Sequence, residues 1–161
     1  MWVAGCPVWA SSCVRVPSSR KTRGVASSAS ANTRKRAVAD PGARLVALAH
    51  AQGLEVVVIS GPSSLMLALA ASGLNGQSFA FVGYLPVEAA TRTARLRELE
   101  ALSLRQQQTQ LMIETPYRNE ALRQALLGAL KPGTRLSISV GLTLPGSWTH
   151  TATVADWKRS G

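Results

Sequence analysis

No acidic residue occurs in the first 36 positions of this 161-residue chain. The seven charged side chains there are all basic: Arg15, Arg20, Lys21, Arg23, Arg34, Lys35 and Arg36. From Ala37 onward eleven Lys and Arg face eight acids, so most of the formal net charge of +10 belongs to the opening segment. A strongly basic chain ordinarily points to nucleic acid. Here the excess sits on a stretch with no helical or strand period, so it says little about a folded body. That stretch also lacks aromatics interleaved with its charges, which argues against a basic RNA-binding arm. Cysteine is scarce: Cys6 and Cys13 are the only two. With no Cys or His partners at ligand spacing they make neither a zinc centre nor a disulfide framework, and read as incidental thiols. No apolar run approaches the roughly 20 residues that span a bilayer. The expectation is a soluble, cytoplasmic protein without a membrane partner.

Residues 1–36 combine Trp2, Trp9 and a Ser/Arg/Ala-rich stretch. No basic residue precedes the short apolar start, so it makes a poor signal peptide. A disordered tail and an organellar transit peptide both fit this composition. So does translation of a GC-rich gene out of frame, with native coding resuming near Ala37. The segment is therefore set apart as basic and disordered or non-native.

From Ala37 the pattern becomes regular. Asp40-Pro41-Gly42 opens a helix, with Asp40 as N-cap and Pro41 at the first helical position. Leu45, Val46, Leu48 and Ala49 form its apolar stripe, and Gly53 stops it. The β-branched run over residues 54–59 predicts a strand buried on both faces of a parallel sheet. Gly61-Pro62-Ser63-Ser64 turns directly into a helix ended by Gly73. A turn at the carboxyl end of such a strand is where open α/β sheets bind ligands, and a helix start suits a polar or anionic one. A strand over 78–83, a helix over 87–102, a strand over 110–113, a helix over 119–130, a strand over 135–140 and a last strand over 149–154 follow. The solvated face of the 87–102 helix is expected to carry Arg92, Arg95, Arg97, Glu98 and Glu100. Met66 and Met112 are expected in the core. Tyr84 and Tyr117 are expected to pack rather than to stack on a base, and His50 and His150 to be surface residues. The fold class is α/β, with the boundary between two units at residues 73–77.

Five segments in order carry a resemblance: Ala39-Asp40-Pro41-Gly42, Ile59-Ser60-Gly61-Pro62-Ser63-Ser64, Ala71-Ser72-Gly73-Leu74, Phe81-Val82-Gly83-Tyr84-Leu85-Pro86 and Ile113-Glu114-Thr115-Pro116-Tyr117-Arg118. Their sequence and spacing resemble the tetrapyrrole methylase superfamily of class III S-adenosylmethionine-dependent methyltransferases. Within it they resemble the branch that methylates a cytidine ribose 2′-oxygen of small-subunit ribosomal RNA. The resemblance implies two α/β domains with S-adenosyl-L-methionine in the cleft between them. It implies a truncated first domain at residues 37–76 and most of the second at 77–161. By motif, Asp40, Pro41, Gly42, Ser63, Ser64, Glu114, Leu142 and Thr143 correspond to cofactor-side positions, Glu114 through its backbone. Arg118 and Tyr117 lie where a substrate would be held, and no residue declares itself as the catalytic base. Ribosomal RNA is the implied substrate and a homodimer the implied assembly. Two departures accompany the match. Glu-Thr-Pro-Tyr-Arg stands for the family's Glu-Ser-Pro-His-Arg, and Gly141-Leu142-Thr143-Leu144 for an acid-Leu-Thr-Lys pattern. A sister group with another methyl acceptor fits the same motifs. An inactive truncated remnant and a basic RNA-binding protein are the alternatives from other classes.

Overall fold

The computed structural model describes residues 2–4, 13–15, 34–36 and 42–160. Asp40 and Pro41 lie outside them, as do Pro7, Pro17, Arg20, Lys21 and Arg23 of the opening segment. Mixed helices and strands make this an α/β protein. The chain forms two compact units, Trp9–Ser63 and Met1–Val8 with Ser64–Gly161.

In the smaller unit, the short strands β2 (Cys13–Arg15) and β3 (Arg34–Arg36), the helix α1 (Gly42–Ala51) and β4 (Val57–Ile59) follow one another. α1 ends as its residues dictate. Gly53 takes a φ of +64°, and the Leu54 N–H donates back to the Ala49 carbonyl at 2.9 Å, so a left-handed glycine closes the helix. His50 is exposed in its last turn. β4 corrects the expectation of a buried parallel strand: it pairs antiparallel with β2, and Val58 is 67 % exposed. A continuous β-branched run specifies a strand, but its burial depends on what covers it, and no described element covers both faces.

In the larger unit, β1 (Trp2–Ala4), β5 (Phe79–Gly83), β6 (Thr109–Glu114), β7 (Arg135–Val140) and β8 (Trp148–Thr153) form one sheet in the order β5-β6-β1-β7-β8. β5, β6, β1 and β7 run parallel, and β8 is antiparallel at the edge. Helices α2 (Ser64–Ser72), α3 (Ala89–Gln106), α4 (Asn119–Ala129) and α5 (Val154–Arg159) surround it. Successive residues of a strand face opposite ways, and β6 shows the consequence. Met112 joins Leu96, Leu99, Leu122, Leu126, Leu136 and Ile138 in the core under α3 and α4. Leu111 and Ile113 join Ala68 and Leu69 under α2. On β7 the alternate residues Ser137 and Ser139 are fully buried, each 2.8 Å from a threonine hydroxyl of β8, Thr151 and Thr149. Buried hydroxyls thus satisfy one another across the strand pair.

Several side chains sit elsewhere than expected. Met112 is in the core, but Met66 is half exposed on α2. Arg95 and Glu98 do form a surface pair. Glu100, by contrast, is buried, accepting from the Lys131 N–H at 2.8 Å and from the Thr134 hydroxyl. It thereby ties α3 to the turn before β7. α5 was not anticipated, although Thr153 and Asp156 carry its start signal in the sequence. The Thr153 hydroxyl accepts from the Asp156 N–H and donates to its carboxylate at 2.6 Å, a reciprocal cap.

Three surface carboxylates are held below their ordinary values. Glu88, the N-cap of α3, receives the Thr91 hydroxyl and the Thr91 and Ala90 N–H groups. Glu120 is held down by Arg123 and Gln124, and Asp156 by Thr153 and Arg159. A depressed folded pKa gives stability that is fully present above the unfolded values of 4.5 and 3.8 and is lost as pH falls through the lower folded ones. Helical circular dichroism is therefore expected to decline only below that range. Glu88→Gln, which cannot titrate, is expected to remove the share contributed by α3; an unchanged acid profile would contradict it.

Candidate functional site

Strand ends determine where the candidate residues meet. Parallel β5, β6 and β7 deliver their following loops, residues 83–88, 114–118 and 141–147, to the carboxyl end of one sheet. That is the end where α/β sheets hold ligands. Glu114, Tyr117, Arg118, Leu142 and Thr143 are all brought to it.

Glu114 closes β6 with its side chain fully buried. Its Oε1 accepts from the Thr115 N–H at 2.8 Å and the Thr115 hydroxyl at 3.2 Å. Oε2 lies 3.1 Å from Nη2 of Arg118, an ion-pair contact too poorly aligned to be a directed hydrogen bond, and among the described residues it has no other partner. The same Nη2 donates to the Leu85 carbonyl at 3.2 Å. Arg118 therefore fastens the loop after β5 to the loop after β6, with a buried carboxylate beneath it. Its Nη2 is engaged within the protein. It does not pair within its own helix.

The loop after β7 contains two consecutive turns. The Leu144 N–H donates to the Gly141 carbonyl at 2.8 Å, and the Ser147 N–H to the Leu144 carbonyl at 3.1 Å. In the second turn, Pro145 and Gly146 occupy the central positions and Gly146 has φ +79°, as a type II turn requires. In the first, the residue that must turn left-handed is Thr143, at φ +71°. A β-branched residue there is strained by about 1–3 kcal/mol, and such strain clusters at ligand sites. Leu142 beside it is half-buried against Leu69 and Leu111, which anchors the loop. Thr143→Gly is expected to raise stability by about 1 kcal/mol in chemical unfolding; a loss of stability would show that the conformation is not strained.

The remaining candidates belong to other elements. Ser64 begins α2, Ser63 precedes it at the division between the units, and both are half-buried. Gly42 is buried at the start of α1 in the smaller unit. Tyr117 is 85 % exposed and Tyr84 is 55 % exposed, so neither packs as expected. Their place in loops after β5 and β6 was the signal in the sequence for a surface role. A cavity of about 340 Å³ in the larger unit lies at the opposite end of β6 and β7, among Leu96, Leu126, Thr109, Gln110 and Arg135, away from these loops. Among the described residues no group of three His, Cys, Asp or Glu side chains could hold a metal, and no helix is long and apolar enough to cross a membrane.

Comparison with known proteins agrees with the motif order. Over 106 residues, 66 % of this chain and 35 % of its relative, the sequence is 40 % identical to ribosomal RNA small subunit methyltransferase I of Mesorhizobium japonicum. It is 37 % identical over 100 residues to the protein of the same name from Mycobacterium tuberculosis, and 44 % over 62 residues to that of Xylella fastidiosa. The chain is a relative of these methyltransferases. It spans about a third of the length of the curated relatives it matches. No family model matches it. The methyltransferase kinship read from five short segments is thus borne out by the alignments.

Proposed function

We propose that this chain carries part of an S-adenosyl-L-methionine-dependent methyltransferase site, acting on ribosomal RNA as its relatives' name describes. The observation that carries the reading is the convergence of Glu114, Leu142 and Thr143, drawn from motifs far apart in sequence, on one end of a parallel sheet. These residues suit an adenosine-like group. Thr143 holds a left-handed turn against the body of the unit, and a buried carboxylate fixes the backbone of Glu114 and Thr115. Ser64, at the start of α2 in the same unit, adds a hydroxyl suited to a polar ligand. When bound, the cofactor supplies a methyl group on a positively charged sulfur. The protein's part is to hold the acceptor in line with it, while the proton of a hydroxyl acceptor leaves to a base. Arg118 serves by fixing two loops. Tyr117, exposed beside it, is the substrate-facing residue.

Calorimetric titration of the full chain with S-adenosylmethionine tests this. Micromolar binding is expected; no binding at millimolar ligand would overturn the reading and favour a chain without methyltransferase activity. The homodimer implied by the resemblance is checked in the same samples by sedimentation.

A further inference from the structure

The end of the sheet that gathers the candidate residues also gathers exposed aromatics. Tyr84 follows β5, Tyr117 follows β6, and Trp148, 46 % exposed, opens β8 beside the last residue of β7. Leu85, next to Tyr84, is 4 % exposed. Tyr84 is therefore left out of a core that lies within reach, and Tyr117 at 85 % exposure stands further out still. Exposed apolar rings gathered on one surface mark an interaction site, and in stacking they accept any base.

Their arrangement is a row. Adjacent strands lie about 4.8 Å apart, so the sheet order spreads these loops over roughly 19 Å from β5 to β8. The two tyrosines stand on neighbouring strands, each next to one partner of the 3.2 Å bond between Arg118 and the Leu85 carbonyl. That bond holds their loops together, so the platform is preorganised. The acids nearest in sequence are all engaged: Glu88 with the N–H groups of Ala90 and Thr91, Glu114 with Arg118 and Glu120 with Arg123.

We propose that Tyr84, Tyr117 and Trp148 form a stacking platform for unpaired bases of single-stranded RNA, laid across the carboxyl end of the sheet. This deepens the methyltransferase reading and rests on it for the choice of RNA. Duplex RNA hides its base faces and cannot use such a row.

The test is fluorescence anisotropy of labelled oligouridine with the full chain. Tyr84→Ala, Tyr117→Ala and Trp148→Ala are each expected to weaken binding roughly tenfold, while Tyr84→Phe and Tyr117→Phe retain it. Leu104→Ala, an exposed site on α3 at the far end, is expected to change nothing. Because these variants also bear on a surface that a protein partner could use, the nucleic acid arm decides. Wild-type affinity in both tyrosine-to-alanine variants, or equal affinity for an oligoadenine–oligouridine duplex, overturns the platform. S-adenosylmethionine titration of the same proteins separates the two readings: loss of cofactor binding in the wild type sinks the methyltransferase, whereas the platform is judged by oligouridine alone.

Discussion

Arg118→Ala will destabilise the larger unit by about 3 kcal/mol, the cost of leaving a buried charge without its partner. The side chain of Glu114 is fully buried, and Arg118 is the cation beside its Oε2. Removing the guanidinium leaves that oxygen with neither an ion pair nor a hydrogen bond among the described residues, and also frees the Leu85 carbonyl. Arg118 is itself only partly exposed, so water relieves the loss incompletely. The pair gives the prediction a second arm. In a Glu114→Gln background the charge is gone, and Arg118→Ala should cost markedly less, a coupling that urea unfolding of the four proteins will measure. Additive losses would show that the two side chains act independently. The loops after β5 and β6 should also lose their mutual fixation, so any ligand at that end should bind more weakly in proportion.

Leu126→Ala is expected to cost about 3 kcal/mol or more. Leu126 is 1 % exposed in α4, packed with Leu96, Leu99 and Leu122, and it borders the 340 Å³ cavity between the helices and the sheet. Truncation there enlarges a space that the frame already fails to fill, so little of the loss can be recovered by collapse. Leu104→Ala lines the rim of the same cavity but is exposed, and should cost under about 0.5 kcal/mol. Equal losses at the two sites would mean that the helices do not pack as described.

Much of the larger unit was legible in the residues. Pro145-Gly146 marks its own turn, Gly73 ends α2 at φ +64°, and the apolar runs of β6 and β7 are strands between two helical layers. The failures share a cause, which is that a local pattern does not state what will cover it. The run at residues 54–59 reads as buried, yet β4 is exposed because its only described neighbour is β2. Glu100 reads as part of a solvated face, but the turn at Lys131 and Thr134 comes to it from 31 and 34 residues away. Tyr84 and Tyr117 read as packing because aromatics usually pack, while their position past the strand ends leaves them outside. The candidate site was legible as motif order, since Glu114, Leu142 and Thr143 were all named from it. Its geometry was not. Nothing in the sequence tells that the Thr143 backbone is left-handed, or that Arg118 turns inward to Glu114 and the Leu85 carbonyl.

The most direct test of the methyltransferase account is amide hydrogen exchange of the full chain with and without saturating S-adenosylmethionine. The account predicts added protection in residues 83–86, 114–118 and 141–147, with the amides around the cavity at Thr109 and Gln110 unchanged. Protection confined to that cavity, or none at any of the three loops, would contradict it.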